Sequence, residues 1–309
     1  MRALVVDHSS PSGLRMDQVP DPQPAPNQAL IQVTATSLNH GEIVSLLAAA
    51  PDGMVPGWDA AGIVVQAAAD GSGPAAGTPV VTLAPEGAWA ELRAVDTDLI
   101  GIVPDTADLG AASTIPVAGA SALRGLHRLG PILGRRVLVT GATGGVGRYA
   151  IQLARLGGAH VIAATGDPAA HGARLRELGA AEVIADPAEV RSPVDGVLDL
   201  VGGRQLVDAY RNLSEGGTLV AVGHAAGQDE IFPYGALFGD QGRHDRSMVT
   251  FFLLSCANLA PDLSWLARQV AAGALDPNIS WRGDWAGIAE AAEALRTRRL
   301  HGKAVLEVR

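Results

Sequence analysis

Apolar and polar positions change rhythm midway along this chain. Residues 2–6 alternate as a short strand, and residues 29–36 alternate with β-branched side chains, the pattern of a half-buried strand. Between them Pro20, Pro22, Pro24 and Pro26 make a connector that cannot be helical. A short helix is predicted through Leu47. Residues 55–65 read as a turn leading into a strand, and residues 77–83 and 87–95 as further strands. Residues 1–112 are therefore strand-rich. Residues 109–129 become helical past Pro116, and the strands that follow are 137–139, a short apolar run, then 158–165, 182–185, 196–201, 217–223 and 248–254, the last almost wholly apolar. Such runs suit a parallel sheet buried on both faces. Helices are predicted over 169–178, 263–272 and 285–296, and the chain closes on a strand at 304–308.

The first apolar run leads into Gly141-Ala142-Thr143-Gly144-Gly145-Val146-Gly147. After it Val146, Ala150, Ile151, Leu153 and Ala154 recur at helical spacing, with Arg148, Gln152 and Arg155 on the opposite side. Strand, glycine turn and helix place unpartnered backbone N–H groups and the positive end of a helix dipole where a diphosphate can sit. Gly141 permits the turn, Gly144 lets a ligand approach the backbone, and Gly147 lets helix and strand come close. The next strand, helix and strand follow in register, so this is a βαβαβ unit and not an isolated motif.

Composition narrows the class. The 309 residues suggest two domains, and 48% hydrophobic with 18% charged residues indicates a globular chain. A net charge of −9 argues against nucleic acid and anionic membranes as partners. One cysteine, Cys256, rules out an internal disulfide framework. The first apolar run is too short for a signal peptide and no span suits a membrane, so a soluble cytoplasmic protein is expected. Lys303 is the only lysine.

With these residues in view the chain resembles the medium-chain dehydrogenase/reductase superfamily, in its zinc-independent, quinone-oxidoreductase-like branch. The resemblance rests on Asn39-His40-Gly41-Glu42, Val55-Pro56-Gly57-Trp58-Asp59-Ala60-Ala61-Gly62, Ile115-Pro116-Val117-Ala118-Gly119-Ala120-Ser121-Ala122, the glycine turn, and Gly302-Lys303-Ala304-Val305. It implies an α/β protein with a GroES-like β-barrel domain over 1–113 and 256–309 and a Rossmann doubly wound parallel-sheet domain over 114–255. It also implies a homodimer through the strand near Met248–Leu254, although that edge could instead be covered by the chain's own helix. Zinc-dependent relatives carry ligands where this chain has Asn39, Trp58 and Val117. None of these binds zinc, so no metal is expected.

The resemblance also implies site residues. Gly141, Thr143, Gly144, Gly145, Val146 and Gly147 would hold the diphosphate. Thr165 ends the second strand where an acid would select NAD(H). With Arg174 nearby, NADP(H) is favoured, while Asp167 and Asp186, which would repel a phosphate, keep NAD(H) open. Ser121, Gly223 and Lys303 are further cofactor contacts, although Ser121 could be a plain helix residue and Lys303 a solvated one. Asn39 is a hydrogen-bond donor to the substrate or a turn residue, and His40 a proton donor or a packing residue. Trp58 and Phe251 are assigned to the substrate pocket, with a core role open for Trp58. The small apolar loop 46–54 stands where many relatives carry a tyrosine.

The expected chemistry is hydride transfer to a quinone or an α,β-unsaturated carbonyl compound. An enoyl reductase, a cofactor-retaining cyclase or a non-enzymatic NADPH-binding protein would share these motifs. A short-chain dehydrogenase is excluded, because its Tyr-x-x-x-Lys pair cannot exist where Arg299 stands four residues before the single lysine.

Overall fold

A computed structural model describes residues 1–309. They form two compact units, one of residues Met1–Ala120 with Cys256–Arg309, the other of Ser121–Ser255. The first keeps residues 114–120, beyond the expected boundary at 113, because they pack within it. The Val117 N–H donates to Asp59 Oδ1 at 2.8 Å, and a Cβ added to Gly119 would touch the Leu266 side chain at 3.3 Å.

The first unit is built on a seven-stranded sheet. Gln28–Ser37 is its spine, pairing antiparallel with Asp59–Gln66, Leu92–Asp96 and Lys303–Glu307. Every second residue of the spine points inward, so Ala29, Ile31, Val33 and Ala35 are buried, as their alternation predicts. Strands Leu14–Gln18, Ile100–Ile102 and Ile279–Asp284 are not visible in the apolar pattern, since each exposes or half-exposes most of its residues or is only three long. Two π-helical turns, Glu42–Leu46 and Ile115–Gly119, flank the cluster described below.

The second unit holds a six-stranded parallel sheet. Its spatial order is Glu182–Ile184, His160–Ala164, Arg136–Val139, Val194–Asp199, Leu213–Ala221, Ser247–Thr250. Chain order therefore reverses between Arg136–Val139 and Val194–Asp199. Such a switch point, at the carboxyl ends of the strands, is where doubly wound sheets bind ligands. The glycine turn leaves Arg136–Val139 at that end. The sixth strand stops at Thr250, short of the expected 254, and gives way to a 3₁₀ turn at Leu253–Ser255. It is an edge strand paired only with Leu213–Ala221 and mostly exposed. A helix missed in the sequence, Gly203–Arg211, covers one face. No helix is long and apolar enough to cross a membrane.

Helix Gly145–Leu156 corrects one expectation. Arg148 and Gln152, read as its polar side, are buried. Arg148 donates from Nε to the Thr143 carbonyl at 2.9 Å, and Gln152 donates to the Arg148 carbonyl at 3.0 Å, so both head groups are satisfied by backbone.

The glycine turn is tight on one side only. A Cβ at Gly147 would lie 2.5 Å from Gly141 O and 2.8 Å from Ala142 Cα, so that position is closed to any side chain. Gly147→Ala should therefore lose about 1–3 kcal/mol through overpacking, despite alanine's better helix propensity. Thermal unfolding checks this: an unchanged melting temperature would refute the close approach of helix and turn.

Candidate functional site

Each unit holds candidate residues of its own. In the second unit Gly141 turns the chain at φ +58°, and Gly144 caps helix Gly145–Leu156 without a side-chain hydrogen bond. Gly144 is exposed, and a Cβ there would meet only Gly141 O, at 3.4 Å. The fold thus has no steric need for glycine at 144, unlike at 147. Thr143, Gly145 and Val146 are half-buried around it. The cradle fits a diphosphate: a helix N-terminus, a switch point, and backbone left bare on the open side.

Thr165 ends strand His160–Ala164 with its side chain buried. The Asp167 carboxylate accepts the Ala170 N–H at 2.9 Å and so caps the next helix. Arg174 pairs with Glu177 at 2.9 Å, and Asp186 pairs with Arg204. Ser121 is nearly buried near the start of helix Ala120–His127. The Gly223 N–H, expected to face the nicotinamide, donates to Asp199 O at 3.2 Å. Phe251 is half-buried, with the Arg128 guanidinium 5.1 Å from its ring centroid. Asp199 had no role in the sequence reading. Its buried carboxylate accepts from Thr140 Oγ1 at 2.7 Å and Gly202 N at 2.8 Å, tying the ends of two central strands together. Burial raises its pKa above the ordinary value.

The first unit holds a buried polar cluster. Asp59 and Glu42 are fully buried and Lys303 is 2% exposed. The Lys303 ammonium donates to Leu38 O at 2.9 Å and Asn39 Oδ1 at 2.7 Å, and lies 3.3 Å from Asp59 Oδ2. Its three N–H groups are thus taken up inside the protein. This corrects the expectation that Lys303 contacts a cofactor: it is an internal cation. Asn39 Nδ2 donates to Asp59 Oδ2 at 2.8 Å. Glu42 accepts the backbone N–H groups of Asn39, at 2.7 Å, and Trp58, at 2.5 Å.

Arg93, 2% exposed, completes the cluster. It donates to the carbonyls of Gly57 at 3.2 Å, Trp58 at 3.0 Å, Ala84 at 3.1 Å and Glu86 at 2.8 Å. The turn bearing Trp58 is therefore fixed from both sides, by Glu42 on its N–H and by Arg93 on its carbonyl. Burial lowers the Arg93 pKa to about 10. The half-buried Trp58 indole lies over Gly41, where a Cβ would be 2.8 Å from Cη2. His40 is half-buried and its pKa is lowered, first by burial and then by the Arg298 charge, so its imidazole is neutral at pH 7. Leu47 and Ala50 of the small loop are core residues packed with Trp89 and Trp285, so much of that loop's apolar surface faces inward. No group of three or more His, Cys, Asp or Glu side chains is arranged to hold a metal ion.

The sequence motifs contained this cluster without revealing it. Two signals were present: a carboxylate opening an otherwise apolar strand, Asp59–Gln66, and a single lysine in the whole chain.

Two family models match this chain, and the second crosses the boundary between the two units. The family described as alcohol dehydrogenase GroES-like domain matches residues 25–115, and the one described as zinc-binding dehydrogenase matches residues 178–306. A probable quinone oxidoreductase of Schizosaccharomyces pombe is 29% identical over 300 residues, 92% of this chain and 90% of its own length. A Mycobacterium tuberculosis phthioceranic/hydroxyphthioceranic acid synthase is 31% identical over 181 residues, which span 52% of this chain but only 8% of that protein. Among solved structures, the quinone oxidoreductase from Coxiella burnetii superposes with a TM-score of 0.83 at 27% identity, covering 100% of this chain and 99% of that one. A mycobacterial protein complexed with NADPH gives 0.85 at 25% identity, covering 99% of this chain and 100% of that one.

Glu42 makes the cluster sensitive to pH. Burial, and then the nearby Asp59 charge, raise its pKa from 4.5 to about 8. The folded protein therefore keeps a proton that the unfolded chain releases near 4.5. This contribution to stability is fully present below pH 4.5 and is lost as pH rises through about 8, with a slope of about 1.4 kcal/mol per pH unit between those limits. Glu42→Gln should be less stable than wild type at pH 5, because an amide nitrogen would face a backbone N–H, and should lack that slope, so that the difference narrows as pH rises. Denaturant unfolding of both proteins from pH 5 to 8 measures the difference; parallel curves would refute the assignment.

Proposed function

The chain belongs to the medium-chain dehydrogenase/reductase superfamily, in its quinone-oxidoreductase-like branch, and from that membership we propose a metal-free NADP(H)-dependent reductase of quinones or α,β-unsaturated carbonyl compounds. The observation that carries the proposal is Gly144: a glycine that packing does not require, exposed at a helix N-terminus on the switch point of a parallel sheet. A nicotinamide dinucleotide suits that cradle, and it supplies the hydride when bound.

The residues of this chain support the finer reading in three ways. Thr165 leaves no acid at the end of the second strand, while Asp167 is engaged as a cap and Asp186 is neutralised by Arg204, which favours a ribose phosphate. The positions of zinc ligands in relatives hold Trp58, Val117 and Asn39, and the Asn39 amide is bound to Asp59 and Lys303. Polarisation of the substrate then falls to hydrogen bonds. As the acceptor's β-carbon gains the hydride, its π electrons move to the carbonyl oxygen, where an Asn39 N–H stabilises the charge. Water supplies the proton at the α-carbon, and the nicotinamide ends oxidised. His40, neutral at pH 7, serves as a half-buried neighbour that can relay that proton.

A second reading, an enoyl reductase of a larger biosynthetic system, is favoured by the likeness to a segment of the mycobacterial synthase. Side-by-side turnover of quinones, simple enones and enoyl thioesters separates the two.

We also propose a homodimer. Edge strand Ser247–Thr250 has one free side, and Met248, Phe252 and Leu254 are 42%, 66% and 36% exposed, more apolar surface than an isolated edge tolerates. Sedimentation should find a dimer, and Met248→Lys should give a folded monomer; a monomeric wild type would end this proposal.

For the cofactor, fluorescence titration with NADPH and NADH should show tighter binding of NADPH. Gly144→Val should weaken binding at least about a hundredfold, or roughly 2.7 kcal/mol, while leaving the melting temperature near wild type. Undiminished binding in that variant would refute the site.

A further inference from the structure

Asn39 is held in an unusual way. Its carbonyl oxygen faces the Lys303 ammonium at 2.7 Å and its amide nitrogen faces the Asp59 carboxylate at 2.8 Å. An ammonium only donates and a carboxylate only accepts, so these neighbours recognise opposite ends of the amide. Turning the amide over would set NH₂ against NH₃⁺ and C=O against a carboxylate, with both partners buried. The other contacts keep the pair in place. Asp59 also accepts from the Val117 N–H at 2.8 Å and lies 2.8 Å from the Ser37 hydroxyl, while Lys303 is tied to Leu38 O. Of the three residues, Asn39 keeps 8% of its surface exposed, against 0% for Asp59 and 2% for Lys303. Asn39 is thus the member of the trio nearest to solvent.

We infer that Lys303 and Asp59 are positioning residues that lock the Asn39 amide in one of its two flip states, so that the group it leaves for a ligand is an N–H and the ligand atom it accepts must be a hydrogen-bond acceptor. The carbonyl oxygen uses one of its own lone pairs to accept from the Lys303 ammonium, and one of the two amide hydrogens is donated to Asp59. The second hydrogen has no partner within the chain. The inference rests on the proposed reductase for the identity of that acceptor, the carbonyl oxygen of an enone or quinone. The locking itself does not depend on it. Lys303 and Asp59, both buried, act through Asn39.

The test uses Asp59→Asn, Lys303→Met and the double variant. Removing one charge strands the other, so each single variant should melt well below wild type. The double variant removes both and should regain most of that loss, because a buried ion pair can be replaced by neutral groups at little net cost. A merely structural pair predicts that turnover returns with stability. Locking predicts that it does not: the double variant should bind NADPH as wild type does, yet reduce an enone about a hundredfold more slowly in kcat. A second readout needs neither cofactor nor substrate. In asparagine-labelled protein, the side-chain amide signal assigned through Asn39→Ala should show one hydrogen slow to exchange with solvent. In the double variant both should exchange rapidly. Wild-type kcat in the stabilised double variant, or rapid exchange of both hydrogens in wild type, overturns the locking. Failure of wild type to bind NADPH or reduce any enone, with slow exchange intact, overturns the reductase and leaves the lock standing.

Discussion

Charge balance inside a dry interior constrains the first unit more than any other interaction. Asp59, Glu42, Arg93 and Lys303 are all removed from water, and each alone would carry a desolvation cost of several kcal/mol. They coexist because Glu42 stays protonated below about pH 8, because the Asp59 carboxylate stands beside the Lys303 ammonium, and because nearly every lone pair and N–H has a partner. Arg93 spends its guanidinium on backbone carbonyls, Glu42 its oxygens on backbone N–H groups, and Asp59 and Lys303 meet across the Asn39 amide. These bonds reach from the sheet's spine to the last strand and into both π-helical turns. The position of Trp58, the orientation of Asn39 and the seating of the Ile115–Gly119 turn all follow from one buried, hydrogen-bonded cluster.

The second unit solves a different problem with fewer polar groups. Its central strands are apolar on both faces, so their ends are where polarity must be managed, and Thr140 and Asp199 do this across the switch point. The glycines of the turn separate by cause. Gly147 is demanded by the approach of helix to turn, and Gly141 by its positive φ. Gly144 is demanded by neither. A residue type that the fold does not explain points outward, to whatever the fold binds.

The sequence pattern disclosed most of the parallel sheet, since its strands are continuous apolar runs separated by glycine turns. Element type was harder to read where exposure was mixed: Leu14–Gln18 and Ile279–Asp284 carry too few buried residues to show a period. Arg148 and Gln152 misled for the opposite reason, because their head groups are satisfied by nearby backbone and can therefore be buried. The glycine cradle was legible because its chemistry is local. The buried cluster was not, because Lys303 meets Asn39 across 264 residues and Asp59 across 244, and no local spacing encodes such a meeting. Lys303 was accordingly read as a ligand contact, when its burial and its three internal acceptors make it part of the scaffold.

The orientation of the Asn39 amide matters for chemical reasons. A metal ion polarises a carbonyl from any direction in which it has an open coordination position. An amide does so only when its N–H points at the oxygen, and an amide free to flip presents its carbonyl as readily as its nitrogen. A reductase that relies on an amide therefore needs the orientation settled before the substrate arrives, since reorganisation during the reaction would cancel the gain. Two buried charges of opposite sign, one at each end of the amide, settle it at the stage of folding. Neutral partners such as serine or glutamine could donate or accept in either state and would leave the choice open. Lys303 and Asp59 are buried at the two ends of the Asn39 amide, and such a pair of charges sets its orientation before any ligand arrives.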